Sequence, residues 1–381
     1  METKMKSAIL PLYESSEKYL VKSKGCYLYD SEGKKYLDLE AGVWCANLGH
    51  SNPKITKVIK KEINTSIHHG YRFSNNYSEK LSSELQRIIG FKNGASVFLS
   101  SGSEAINLAI TIARKITNRK KIIKISNSYL SAFGFGGISP DNNDLINVMY
   151  NDEKSIEAIN FNEAAAFVLE TGGASLEMVK FPNKIFVKKL VNTAKKNKTI
   201  IIADEVTTGM GRTGKWFGFQ HYDIKPNMVV TGKGLGNGYP ISGVTVDSKI
   251  AAAIRKNPIR YAQSHQNDPL GCAVGLEVIK TIEEENIINK SILIGNYFYD
   301  KLKFLKENNK DKIKEVRGRG LLLAVEFHKN VDGNLLNKML FENGFVFGFK
   351  LNTIRLLPTL IITKKDIDKF IAKLTDLLKS L

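Results

Sequence analysis

Lys233 sits between two glycines at the start of a run of four alternating ones, in MVVTGKGLGNGYPISG, residues 228–243. Glycine packs nothing and tolerates sharp turns, so the backbone here must bend tightly or lie close against something. A lysine amine held partly out of water loses proton affinity and becomes a nucleophile for a carbonyl carbon. The spacing is neither the G-x-x-x-x-G-K of a phosphate loop nor the six-residue glycine frame of a dinucleotide fold. Both nucleotide readings fail on that ground.

Three other stretches carry residue types that suit chemistry beside such a lysine. In IIIADEVTTGMGRTG, apolar residues deliver Asp204 and Glu205. A carboxylate there needs a partner, because burying one alone is expensive. A protonated ring nitrogen would serve, and so would a structural pair with Arg212 or a lysine. In FLSSGSEAINLA, Ser101 and Glu104 form an S-x-x-E capping box. Gly102 allows a close turn, and the helix start with the Ser103 hydroxyl makes an anion site suited to a phosphate. A plain capped helix would read the same way. In NSYLSAFG, Tyr129 is placed to lie flat against a planar ring or to fill core.

The elements that must position these residues follow from hydrophobic rhythm. CYLYDSEGKKYLDL, within 25–48, alternates around an Asp-Ser-Glu-Gly turn, a hairpin signal. Strand-like and amphipathic runs then alternate: SVFLS into EAINLAITIARKI, KIIKIS, AAAFVLE into a helix near 183–197, TIIIADE and NMVVTGK. This is the rhythm of an α/β domain with a mostly parallel sheet. Continuous apolar runs such as IIIA and MVV suit strands buried on both faces. From Pro269 a long helix is expected, and after it lysine-rich helices alternate with GLLLAVEF and FVFGF. The expected division is an N-terminal segment, 1–48, joining a small domain, a large domain over 49–285, and the rest of the small α+β domain over 286–381. In open α/β sheets, ligands gather beyond the carboxyl ends of strands. Lys233 lies 29 positions after Asp204, about one βα unit, so both can stand at the ends of neighbouring strands.

A phosphate socket, an aromatic plate, a carboxylate for a pyridine nitrogen and an imine-forming lysine together describe a pyridoxal phosphate site. With those residues in view, the chain resembles the class III, ornithine- and acetylornithine-type aminotransferases of the fold type I pyridoxal phosphate superfamily. The resemblance runs over most of the chain. It is carried by AGVWCANLGHSNPKI, SSGSEAINLAITIAR, the long ADEVTTGMGRTGKWFGFQHYDIKPNMVVTGKGLGNGYPISGV, VRGRGLLLAVEF and IRLLPTLIIT.

The resemblance implies a fold type I large domain with a smaller α+β domain, and pyridoxal 5′-phosphate as cofactor. It implies an amino donor and a 2-oxo acid acceptor as substrates, and a homodimer with the active site at the subunit interface. Lys233 would hold the cofactor as a Schiff base and act as general base, and Asp204 would pair with the pyridine nitrogen. Val206 and Tyr129 would pack on opposite ring faces, and Gly102 and Ser103 would hold the phosphate. Ser264, in SHQNDPL, stands where a family threonine reaches the other subunit's phosphate, with Asp268 in place of the usual asparagine. Glu170 keeps a family glutamate among the cofactor contacts, and Thr207 replaces the usual glutamine after D-E-V. Arg355 matches an arginine that clamps a substrate carboxylate, and Trp44 is similar to a residue of the ω-amine:pyruvate branch. Ser175 stands where ornithine-type enzymes carry a second glutamate, thought to switch that arginine off so that ω-amines can enter; its absence argues against ornithine and acetylornithine as donors. A racemase or aminomutase on the same fold would share these motifs and is the alternative.

The net charge of +18 invites a nucleic-acid reading. The lysines, however, are spread through KVIKKEI, KKLVNTAKKNK and similar runs at helix-like spacing, as on solvated faces, and arginine is scarce. No nucleic-acid partner is expected. Cys26, Cys45 and Cys272 make an odd count without metal-ligand spacing, so neither a disulfide framework nor a metal is expected. No run approaches the ~20 apolar residues of a membrane span, and the N-terminus lacks a signal-peptide pattern. The expectation is a cytoplasmic enzyme with no membrane partner.

Overall fold

The computed structural model describes residues 9, 10, 12, 18–137, 143–172 and 179–380; Ser175 lies outside them. β1 (Leu20–Lys24), β2 (Tyr27–Asp30) and β3 (Lys35–Asp38) form an antiparallel meander around the predicted turn. The large sheet is built from β4 (Ala95–Leu99), β5 (Lys121–Ile125), β6 (Leu145–Val148), β7 (Ala164–Glu170), β8 (Ile200–Asp204), β9 (Met228–Thr231) and β10 (Ser242–Val246). Its order is β4-β10-β9-β8-β7-β5-β6. Neighbours from β6 to β9 pair in parallel, and β10 runs antiparallel between β9 and β4. Toward the C-terminus come β11 (Ile313–Arg319), β12 (Leu322–Phe327), β13 (Phe345–Val346), β14 (Gly348–Lys350) and β15 (Thr353–Leu356). FVFGF, read as one strand, is divided between two sheets. β14 pairs with β15, whereas β13 pairs in parallel with β3, tying the C-terminal part of the chain to the N-terminal one.

Burial explains the composition of the central strands. Every residue of β7, β8, β9 and β10 is buried, so both faces are covered and the strands do not alternate apolar with solvent-facing polar residues. Successive side chains still point to opposite faces. Phe167, Leu169, Ile201, Ala203 and Val229 join one core. Ala166, Val168, Ile200, Ile202 and Val230 join the other, with Ile106, Ala109 and Ala113 of the helix Gly102–Thr117. By the same alternation Glu170 and Asp204 leave the sheet on the side of that helix, and Glu205 leaves it on the other.

After β3 the chain does something its sequence does not announce. Four consecutive residues take left-handed backbone angles, with φ of 49° at Ala41, 59° at Gly42, 56° at Val43 and 71° at Trp44. Outside glycine this costs roughly 1–2 kcal/mol per residue. Asp38 holds the turn: its carboxylate accepts from the N–H groups of Glu40 and Gly42, both at 2.8 Å, and meets His50 Nε2 at 2.7 Å.

Candidate active site

Lys233 follows β9, and its place among glycines has a spatial cause. A Cβ at Gly234 would stand 2.5 Å from Asn47 Nδ2, and one at Gly236 would stand 1.9 Å from the Tyr239 carbonyl oxygen. The tight turn aims the Lys233 side chain back over the strand ends. Its Nζ donates to Thr207 Oγ1 at 2.9 Å and lies 4.4 Å from the centre of the Trp44 ring. Burial holds the amine below the ordinary lysine range, while Asp204 pulls the other way.

Asp204 ends β8, beside β9, as the sequence spacing anticipated. It is 6% exposed, accepts one hydrogen bond on Oδ1 from the Val206 N–H at 3.0 Å, and forms no ion pair among the described residues. Burial pushes its carboxyl up to about 6. The alternative pairing with Arg212 is not what the fold does. Arg212 is fully buried elsewhere, donating to the carbonyls of Leu321 at 3.1 Å and Pro358, and to Asn47 Oδ1 at 2.6 Å. Glu205 is also structural: it accepts from the N–H groups of Gly218 and Phe219 and from the hydroxyls of Thr171 and Thr208. Glu170 ends β7 directly beside Asp204 in register and accepts from the Tyr129 N–H at 3.1 Å. Burial, then the Asp204 charge, push Glu170 up to about 8.

Facing these groups is the start of the helix Gly102–Thr117. Both halves of the Ser101–Glu104 capping box are made. The first amides of a helix have no acceptor within it, which leaves those of Gly102 and Ser103 for an anion. Ser103 Oγ accepts from the Ala132 N–H at 2.9 Å, so its own proton is free to turn toward a ligand. Val206 fills the space against this turn, and a Cβ at Gly102 would stand 2.8 Å from its Cγ1. Lys233, Asp204, Glu170, Gly102, Ser103, Tyr129, Val206, Thr207 and Trp44 all line one cavity of about 470 Å³. That volume suits a cofactor-sized ligand.

Two of the sequence candidates stand apart. Ser264 is exposed and is not among the residues lining this cavity. Arg355, on β15, does not line it either, but its guanidinium carbon lies 5.0 Å from the ring of Trp44, which does. Its partner Glu40, with Oε1 3.5 Å from Arg355 Nη2, escaped the sequence reading, as did Val43 and Thr208 in the cavity lining. Nothing in LDLEAGVWC marks Glu40 as more than a turn residue; the left-handed turn after it brings it in.

The residues fit pyridoxal phosphate. A buried carboxylate with no ion pair among the described residues suits a protonated ring nitrogen, the helix start suits the phosphate, and a desolvated amine suits the aldehyde. Fold and cavity together define an α/β pyridoxal phosphate enzyme of fold type I. The aminotransferase class-III family model matches residues 13–132 and 137–378, and the chain belongs to that family. It is a pyridoxal phosphate-dependent transaminase, acting on an amino donor and a keto acid, as the sequence motifs led one to expect; the racemase or aminomutase alternative is not favoured.

Acetylornithine aminotransferase of Aquifex aeolicus is 32% identical to it over 379 residues, covering 94% of this chain and 96% of its own length. Ornithine aminotransferase of Halalkalibacterium halodurans is 31% identical over 412 residues, covering 98% and 100%. The crystal structure of acetylornithine aminotransferase from Elizabethkingia anophelis matches with a TM-score of 0.86 at 28% identity, over 97% of this chain and 96% of that one. An S-selective transaminase from Arthrobacter sp. shares the fold, with a TM-score of 0.89 at 24% identity over 96% and 94%. No helix among the described residues is long and apolar enough to cross a membrane.

Proposed function

We propose that the cavity beside Lys233 is the transamination centre, working on a donor with a terminal amine and a 2-oxo acid acceptor. The observation that carries this is the convergence of Lys233 Nζ, Asp204 and the start of the helix Gly102–Thr117 on one cavity. Bound there, pyridoxal phosphate supplies an aldehyde that condenses with amines and a ring that withdraws electrons.

Lys233 Nζ is the amine that would bind the aldehyde carbon. Once freed by the donor, it takes the proton from the donor's amine-bearing carbon and later returns one. Thr207 Oγ1 holds Nζ in reach meanwhile. Asp204, its carboxylate oriented by the Val206 N–H, would keep a proton on the ring nitrogen. Glu170, protonated at neutral pH, spares Asp204 a second negative charge. Gly102 and Ser103 would hold the phosphate, Tyr129 and Val206 would line the ring, and Trp44 lies over the Lys233 amine.

Arg355 is the cation for an acceptor carboxylate, a match favoured by the guanidinium fork. With Glu40 at its side, it does not call for a carboxylate on the donor's reacting end. That, and the ornithine and acetylornithine names of the relatives, favours an ω-amine donor. The exposed Ser264 supports a homodimer in which it serves the partner's phosphate. The β3–β13 pairing supports grouping 1–48 with 286–381 beside a large domain over 49–285. Three free cysteines support a cytoplasmic location.

The test is the visible spectrum of the cofactor-loaded protein, with amino acids and ω-amines added singly and no acceptor. The absorption of the lysine-linked cofactor should collapse with an ω-amine donor and return with a 2-oxo acid. Its persistence through the whole panel would reject this assignment of the cavity.

A further inference from the structure

His68, His265 and Asp268 meet outside that cavity, where the segment after the helix Pro53–Ile63 touches the start of the helix Pro269–Glu284. His68 Nδ1 lies 2.6 Å from Asp268 Oδ1, and His265 Nδ1 lies 2.5 Å from Oδ2. The two imidazole rings are 4.6 Å apart, inclined at 48°. Asp268 is the N-cap of its helix, a position where aspartate ordinarily accepts from the helix amides. Here its side chain makes no capping bond; both oxygens go to the imidazoles.

We infer that His68, His265 and Asp268 form a binding site for a divalent transition metal ion of the zinc type. Two imidazole nitrogens and a carboxylate oxygen are a donor set for zinc, whereas magnesium and calcium take all-oxygen sites. A tetrahedral ion at ~2.0–2.1 Å from each ligand atom needs those atoms ~3.3 Å apart. The three lie within 4.8 Å of one another, and small rotations of the two exposed rings suffice to open the contacts to Asp268. Each imidazole would present its Nδ1 lone pair to the ion, with the ring proton on Nε2. Within one chain the imidazoles are 40% and 59% exposed and the carboxylate 13%, which leaves the fourth position of the ion to a water or to a group of the facing subunit.

The backbone beneath is already fixed. Asn267 Oδ1 accepts from the Phe98 N–H at 2.8 Å, and the Asn267 carbonyl accepts from Asn75 Nδ2 at 2.8 Å. The ion would therefore join segments 200 positions apart with the Asp268 side already held. Sequence spacing gave no hint of it, because metal motifs are read over short intervals.

Calorimetric titration of the cofactor-loaded protein with zinc chloride, and separately with magnesium chloride, tests the site. One zinc per chain is expected, with affinity weakened at least ~10-fold in both His68→Ala and His265→Ala. Zinc should raise the melting temperature of the wild type but not of these variants, and magnesium should do neither. His265→Gln, of similar size and polarity, guards against a variant that fails to fold, and cofactor absorbance checks each one. Absence of zinc binding, unchanged affinity in the variants, or magnesium binding as tightly as zinc would each overturn the inference.

Discussion

Glu40 Oε1 lies 3.5 Å from Arg355 Nη2, and the guanidinium stands over the Trp44 ring that faces Lys233 Nζ from its other contact. Burial raises Glu40 above the usual carboxylate range, against the pull of Arg355. In the proposed role of Arg355, an incoming 2-oxo acid competes with Glu40 for this arginine. A charge-assisted hydrogen bond is worth about 1.5–3 kcal/mol, or ~10–100-fold. Arg355→Ala should raise KM for the 2-oxo acid by about that factor, and Glu40→Gln should lower it. Steady-state kinetics of both variants decide the matter; an unchanged KM in Arg355→Ala would mean that this arginine meets no substrate carboxylate.

Asp204→Asn should separate binding from catalysis. The amide keeps an acceptor for the Val206 N–H but cannot hold a proton on the ring nitrogen by charge. Lys233 and the helix start at Gly102 are untouched, so cofactor retention should persist through gel filtration. Turnover should fall by ~10²–10⁴-fold, the range of a lost proton-handling group. Equal loss of retention and turnover would contradict the assigned role.

How much of this was legible beforehand differs between the strands and the turn. IIIAD and MVVT are buried on both faces, so continuous apolar runs sufficed to place them. The interval between Asp204 and Lys233 correctly put the two on adjacent strands. β10 was not drawn from the hydrophobic rhythm, whose strand runs in the large domain ended at NMVVTGK, just before the glycine-rich turn. The apparent unit FVFGF belongs to two sheets because Phe345 pairs with Leu37, three hundred positions away by sequence, and pairing at that distance leaves no local signal. Glu40 was invisible for a similar reason: its approach to Arg355 needs backbone angles that Ala-Gly-Val-Trp does not favour.

Glu170 makes the apoprotein sensitive to pH in a definite direction. Its carboxyl is raised from 4.5 to about 8 in the folded protein. Folded chains therefore keep a proton that unfolded chains release across that window, and stability declines as pH rises through it. Glutamine does not titrate. Glu170→Gln should thus match the wild type near pH 4.5 and gain on it steadily up to about pH 8, by ~1 kcal/mol or more. His221, lowered to about 4, shifts both melting curves alike and cancels in the difference, whereas Asp204, raised to about 6, is coupled to Glu170 and is part of what the substitution changes. Thermal melts of the two apoproteins at matched pH values test this, and parallel curves would show that Glu170 is ionised at neutral pH.

The left-handed turn at Ala41–Trp44 sets two opposite expectations for neighbouring residues. Asp38→Ala removes the acceptor from the Glu40 and Gly42 amides, at a cost of about 1–3 kcal/mol for each amide left buried without a partner. It also frees Trp44 from its place over Lys233, so kcat should fall along with the melting temperature. Val43 is 58% exposed, and its side chain contributes little packing to offset a φ of 56°. Glycine there relieves roughly 1–2 kcal/mol of backbone strain and gives back about 0.5–1 in unfolded-state entropy. Val43→Gly should leave the melting temperature unchanged or slightly higher, where removing a branched side chain from a regular element would lower it. Calorimetric melts of the two variants distinguish a turn held by Asp38 against its own strain from one that needs no such support, in which Asp38→Ala would be silent and Val43→Gly destabilising.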